Sequence, residues 1–229
     1  MKKALVLFSG GVDSTTALAL AIEKYGKDNV IALSVVYGQK HDKEFECSCK
    51  IVKYYGVEHI YLDLSKIFEY SDCTLLKHSS KEVPHEAYEE QIKETNGKPV
   101  STYVPFRNGL FLSSAASIAI SKECEVIYYG AHRDDACGNA YPDCSEAFTK
   151  AINEAIYLGS GNQVKVYGPF VGMSKKDIVA IGLKLNVPYE LTWSCYEGHE
   201  KACGKCGTCI DRKKAFEANG VKDPIEYEE

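Results

Sequence analysis

Residues 3–25 restrict the fold more than any other stretch. A continuous apolar run, Lys3–Phe8, leads straight into Ser9-Gly10-Gly11-Val12-Asp13-Ser14, and apolar residues at helical spacing follow as far as Tyr25. An apolar run without alternation marks a strand buried on both faces, as in a parallel sheet covered by helices. The rhythm then repeats. Asn29–Tyr37 is a β-branched run, Asp42–Tyr55 a second helical pattern closed by Gly56, and Val57–Leu62 a third strand. Such alternation implies parallel strands joined by right-handed crossovers, an α/β doubly wound sheet.

Residues 63–105 break the rhythm with short apolar pieces, a polar helix near Pro84–Glu94 and an Asn96-Gly97 turn. This stretch reads as an insertion at the carboxyl edge of the sheet, where ligand-covering segments sit. Beyond it, Asn108–Ser121 is a helix apolar on nearly every face and Glu125–Tyr129 a fourth strand. Glu146–Leu158 is a helix, Gln163–Tyr167 a short strand, and Lys175–Leu185 a helix capped by Ser174. A short helix ends at Glu217, and the acidic tail Asp223–Glu229 reads as frayed.

The glycine string lies at the strand-to-helix junction. Adjacent glycines permit a tight turn and close approach by a ligand. The N–H groups of the helix start, with the positive end of the dipole behind them, favour an anion, and Ser9, Ser14 and Thr15 add hydroxyl donors. A Walker A loop would need a lysine before the Ser/Thr, and a dinucleotide loop needs G-x-G-x-x-G; neither is present. A plain turn in which Asp13 only caps the helix is the structural alternative.

Ten cysteines stand in a 229-residue chain long enough to fold without disulfide staples. Cys195, Cys203, Cys206 and Cys209 follow C-x7-C-x2-C-x2-C, with Gly204 and Gly207 at the tight turns. Four thiolates with no open position describe a closed structural Zn²⁺ site. An iron–sulfur cluster, which also uses two-residue gaps, is the competing reading. Cys47, Cys49, Cys73, Cys124, Cys137 and Cys144 lack metal spacing. The expected organisation is therefore an α/β domain at 1–190 and a zinc-binding C-terminal segment at 191–229.

The N-terminal apolar run is short and ends in glycines, so it reads as a strand and not as a signal peptide. No stretch nears the roughly 20 apolar residues that span a bilayer. The expectation is a cytoplasmic chain with no membrane partner. Acidic residues outnumber basic ones by 32 to 27, which disfavours nucleic acid as a partner.

In its strand-to-helix setting, Ser-Gly-Gly-x-Asp-Ser resembles the pyrophosphate loop of the PP-loop ATP pyrophosphatases. Further segments narrow the match: Tyr37-Gly38-Gln39-Lys40-His41, Val104-Pro105-Phe106-Arg107-Asn108, Tyr141-Pro142-Asp143-Cys144 and Ser194-Cys195-Tyr196. In order and spacing the chain resembles the 7-cyano-7-deazaguanine synthase family of queuosine biosynthesis, from Leu5 to about Phe216. That resemblance implies a ligase that uses ATP and Mg²⁺ to adenylate the carboxylate of 7-carboxy-7-deazaguanine. Ammonia then gives the amide, and a second activation gives the nitrile. It implies nucleotide contacts along Phe8, Ser9, Gly10, Gly11, Val12, Asp13, Ser14, Thr15, Thr16, Ala17 and Leu18. Asp13, Arg107 and Lys175 would be catalytic, Asn108, Tyr141 and Asp143 would meet the substrate, and the chain would form a homodimer. Tyr37, Tyr103 and Phe106 are candidates to stack on a heterocycle.

The chain departs from the family pattern at Phe106, where many relatives have glycine. It departs again at His132-Arg133-Asp134-Asp135, where they have Cys-Glu-Thr-Asp. These positions leave amide ligation to another amine open; the shared loop and the cysteines leave tRNA sulfur transfer open, and a non-enzymatic zinc module with a relic loop is the reading from a different class.

Overall fold

The computed structural model describes residues 2–228. Five parallel strands form one sheet in the order β3-β2-β1-β4-β5. They are β1 (Lys3–Leu7), β2 (Val30–Val36), β3 (Glu58–Asp63), β4 (Cys124–Tyr128) and β5 (Lys165–Tyr167). The helices are α1 (Val12–Tyr25), α2 (Lys43–Tyr55), α3 (Ser65–Phe68), α4 (Tyr88–Thr95), α5 (Arg107–Ser121), α6 (Arg133–Ala136), α7 (Glu146–Gly159), α8 (Lys175–Lys184) and α9 (Gly207–Glu217). The doubly wound α/β expectation holds.

Residue alternation along β1 explains the layers. Leu5 and Leu7 face a core built with Ile31, Leu33, Ile127, Leu112 and Ala115 of α5, and Ile156 of α7. Ala4, Val6 and Phe8 face the opposite core, built with Ala17, Leu18 and Ala21 of α1, Ile51 and Val52 of α2, and Ile178 of α8. Both faces are covered from Ala4 onward, so the buried part of β1 is apolar throughout.

Strand order reverses at β1. The chain moves outward through β2 and β3, then returns to place β4 on the other side of β1. The loops leaving β1 and β4 therefore diverge, and their gap is the natural ligand crevice of an open parallel sheet.

The C-terminal segment is anchored by a charge that never meets water. Arg212 of α9 is fully buried; its guanidinium donates to both Asp223 carboxylate oxygens at 2.7 and 2.9 Å, to Thr192 Oγ1 at 2.9 Å and to the Tyr189 carbonyl at 3.1 Å. This overturns the expectation of a frayed tail. Asp223 is buried, and Tyr227 bridges to Ala202 as a short parallel pair. The acidic composition of the tail concealed the cation waiting for it; Glu229 lies outside the described residues. The capping expectation at Ser174 holds, with a reciprocal box between Ser174 and Asp177.

Candidate active site and thiol cluster

The turn after β1 is tight because Gly10 takes φ +90°, a conformation costly for any residue with a side chain. Space is lacking too: a Cβ there would lie 2.8 Å from the Glu44 carbonyl oxygen and 2.8 Å from the Ser48 nitrogen. Gly11, the cap residue of α1, has φ −80° and only ordinary contacts. Inside the turn, Ser9 N–H donates to Ser14 Oγ at 3.2 Å and Gly11 N–H to Ser9 Oγ at 3.3 Å.

A cavity of about 240 Å³ opens at the switch point, lined by the loop residues Phe8, Ser9, Gly11, Val12, Asp13 and Ser14. Gly10, Thr15, Thr16, Ala17 and Leu18, also expected as nucleotide contacts, do not line it. Thr15, Thr16, Ala17 and Leu18 are fully buried on the inner side of α1, and the two threonine hydroxyls donate to the Gly11 and Val12 carbonyls. Helical periodicity turns these four side chains into the core.

Asp13 meets Lys175 at the start of α8, with Lys175 Nζ donating to Asp13 Oδ2 at 2.6 Å. Burial pushes the Asp13 carboxyl up, but Lys175 and His132 outweigh it and hold the group below its ordinary value. The other carboxylate oxygen, Oδ1, is buried without a partner. His132, given no role by the sequence, is buried behind this pair; its Nε2 lies 3.3 Å from Asp135 and 3.8 Å from Asp13. Asp211, from α9, is raised to about 6 by burial and by Asp135, against the pull of Lys175.

Arg107 and Asn108 open α5 and also line the cavity. Arg107 lies over the Tyr37 ring, 5.0 Å from its centroid, so that ring is already stacked on a cation. Burial works against the guanidinium charge, yet Tyr37, Tyr196 and Asp143 keep it protonated. Tyr141 and Asp143, expected to read a heterocycle, stand behind the wall. Asp143 accepts from Asn108 N–H at 2.8 Å, and burial raises its carboxyl despite that bond and Arg107. The Tyr141 hydroxyl is paired with Thr102 at 2.6 Å and contacts the Tyr88 and Tyr196 hydroxyls. Both residues position the wall and do not form it. Tyr103 Oη accepts from Phe106 N–H at 2.9 Å. Phe106 is half exposed, its ring edge-on to Phe148.

Glu44 and Trp193 line the cavity without any signal in the sequence, whereas Asp135 stood in the stretch that departs from the family pattern and Tyr196 directly after Cys195.

The four C-terminal thiols converge, with every Sγ within 4.8 Å of the others and all four residues buried. Backbone N–H groups of Glu197, Cys203 and Cys206 point at sulfur atoms of the set, at 3.3–3.4 Å. Convergent sulfurs ringed by N–H donors fit a metal held by thiolates. Trp193 N–H donates to the Gly10 carbonyl at 3.0 Å, which ties this segment to the glycine turn.

Among solved structures, the U34-tRNA thiolase NcsA from Methanococcus maripaludis, with its [4Fe-4S] cluster, is similar in fold. Its TM-score is 0.52 at 18% identity, over 95% of this chain and 67% of that one. Sequence relatives are nearer. A 7-cyano-7-deazaguanine synthase of Archaeoglobus fulgidus is 45% identical over 97% of this chain and 89% of its own length. That of Caldicellulosiruptor saccharolyticus is 44% identical over 99% and 96%, and that of Pseudoalteromonas atlantica 40% identical over the full length of both. The family model described as queuosine biosynthesis protein QueC matches residues 3–220, and the chain belongs to that enzyme family.

Proposed function

We propose that the protein converts 7-carboxy-7-deazaguanine and ammonia to 7-cyano-7-deazaguanine at the expense of ATP. The observation that carries the reading is one continuous cavity that joins the Ser-Gly-Gly-x-Asp-Ser turn to Arg107 and Asn108. Phosphates and the carboxylate to be activated can thus share one site. The loop N–H groups and Lys175 would hold the phosphates, and Arg107 would orient the acid, so the carboxylate oxygen faces the α-phosphorus. Activation is needed because neither hydroxide nor oxide leaves readily, whereas a phosphate ester does. When bound with ATP, Mg²⁺ would neutralise phosphate charge; the unpartnered Asp13 Oδ1 and the neighbouring Asp135 are the residues fit to hold it.

We read the thiol cluster as a structural zinc site and residues 191–229 as the segment it folds. A colourless preparation with one zinc per chain would support this, and visible absorbance from an iron–sulfur cluster would refute it. The homodimer and cytoplasmic location belong to the same reading; sedimentation velocity tests the first and fractionation of the native host the second. The central test incubates the protein with 7-carboxy-7-deazaguanine, ATP and ammonia and weighs the products. Nitrile supports the proposal. Amide without nitrile would leave an amide ligase, and tight, salt-dependent tRNA binding without either product would favour sulfur transfer.

A further inference from the structure

Three carboxylates line the cavity: Asp13, Glu44 and Asp135. Asp13 is paired with Lys175 and Asp135 with His132. Of the three, Glu44 alone has no hydrogen bond or ion pair from its carboxylate among the described residues. It sits in the first turn of α2, whose backbone presses directly on Gly10. It therefore shares the cavity with the turn that would hold phosphate and with Arg107, the cation that acts on it. The other titratable groups nearest in charge are Tyr37 at the end of β2 and Cys47 one turn further along α2.

Acyl transfer to nitrogen needs a neutral amine, yet dissolved ammonia is mostly ammonium at neutral pH. A partnerless carboxylate beside the activated acid attracts that cation and can accept its proton. We propose that Glu44 binds the incoming ammonium ion and serves as general base for amine transfer, an inference that rests on the ligase reading above. One ammonium N–H bond breaks and its proton moves to a Glu44 Oε. The freed nitrogen lone pair forms the C–N bond to the acyl adenylate. The C–O bond to phosphate breaks, AMP departs with that electron pair, and a second N–H proton passes to water as the amide forms. Burial lifts the Glu44 carboxyl to about 7 despite Arg107, and a base poised near the working pH is the efficient one.

The test uses full-length wild type, Glu44→Gln and Glu44→Asp, with ammonium or hydroxylamine, which is already neutral at pH 7, as nucleophile. Glu44→Gln is expected to lower kcat/KM for ammonium by about 100-fold or more, while acid-dependent pyrophosphate–ATP exchange, which needs no amine, stays within about threefold. Hydroxylamine is expected to bring product formation back to within about tenfold of wild type, and Glu44→Asp to retain part of the ammonium rate. Unchanged ammonium kinetics, or parallel loss of exchange and of the hydroxylamine reaction, would overturn the role of Glu44. Wild type alone offers a second check that needs no variant. Its ammonium-dependent rate should show an inflection near neutrality that the hydroxylamine reaction lacks, and identical profiles would count against the proposal. Absence of exchange in wild type would instead overturn the ligase reading itself.

Discussion

Gly10 and Glu44 touch across the first turn of α2, and each makes a separate demand on its position. At Gly10, the positive φ and the lack of room for a Cβ act together. Gly10→Ala should lower stability by about 1–3 kcal/mol, read from denaturant midpoints. It should also cut nucleotide-dependent turnover by about 100-fold or more, because the displaced turn no longer aligns its N–H groups. At Glu44 the prediction concerns stability against pH. Burial raises the folded carboxyl from 4.5 to about 7, so the folded state binds the proton more tightly than the unfolded chain. Folding stability from this group is full below the unfolded value and is lost as pH rises through about 7. Glu44→Gln should therefore leave stability nearly unchanged at pH 5 and raise it at pH 8, by an amount on the order of 1–3 kcal/mol. Scanning calorimetry at both pH values checks the sign.

The start of α5 shows how an element accommodates a costly residue. Phe106 caps the helix at φ 54°, in the left-handed region that favours glycine. Its ring lies over Gly109, where a Cβ would come within 2.4 Å of the ring. The two positions should be coupled. Gly109→Ala alone is expected to destabilise by about 1–2 kcal/mol, and Phe106→Gly should restore most of that loss in a double-mutant cycle. At this scale the sequence was most readable. Uninterrupted apolar runs fixed the strands, and the Ser174 box and Gly56 fixed helix ends, because those signals are local. The inward side of Thr15 to Leu18 was not legible from the motif, because a motif read along the chain ignores the side on which a helix presents each residue. Glu44 was invisible for another reason: an acid in the first turn of a helix is the ordinary complement of the dipole, and its lack of partners is a property of three dimensions alone.

Over the whole molecule, the C-terminal segment is held by two devices, the thiol cluster and the buried Arg212–Asp223 pair. Removing one member of a buried pair strands the other charge, so Asp223→Ala should cost about 3–5 kcal/mol in chemical denaturation. Metal removal should act more widely. Trp193 is the only tryptophan, is buried, and bonds through its backbone to Gly10. Chelation, or Cys206→Ser, is expected to shift its fluorescence to the red and to abolish ATP binding along with it, although no thiol of the cluster lines the cavity. Unshifted emission in the metal-free protein would separate the two sites. The tail misreading belongs to this scale as well, since Asp223 finds its partner on α9 and nothing in its neighbours announces it.

The hydrogen bond from residue 193 to residue 10 also orders events in time. The glycine turn is synthesised well before the stretch of chain that braces it. A nascent chain can assemble much of its sheet during synthesis and still lack the brace on that turn. A product terminated before Trp193 would then carry the glycine turn without the hydrogen bond that holds it.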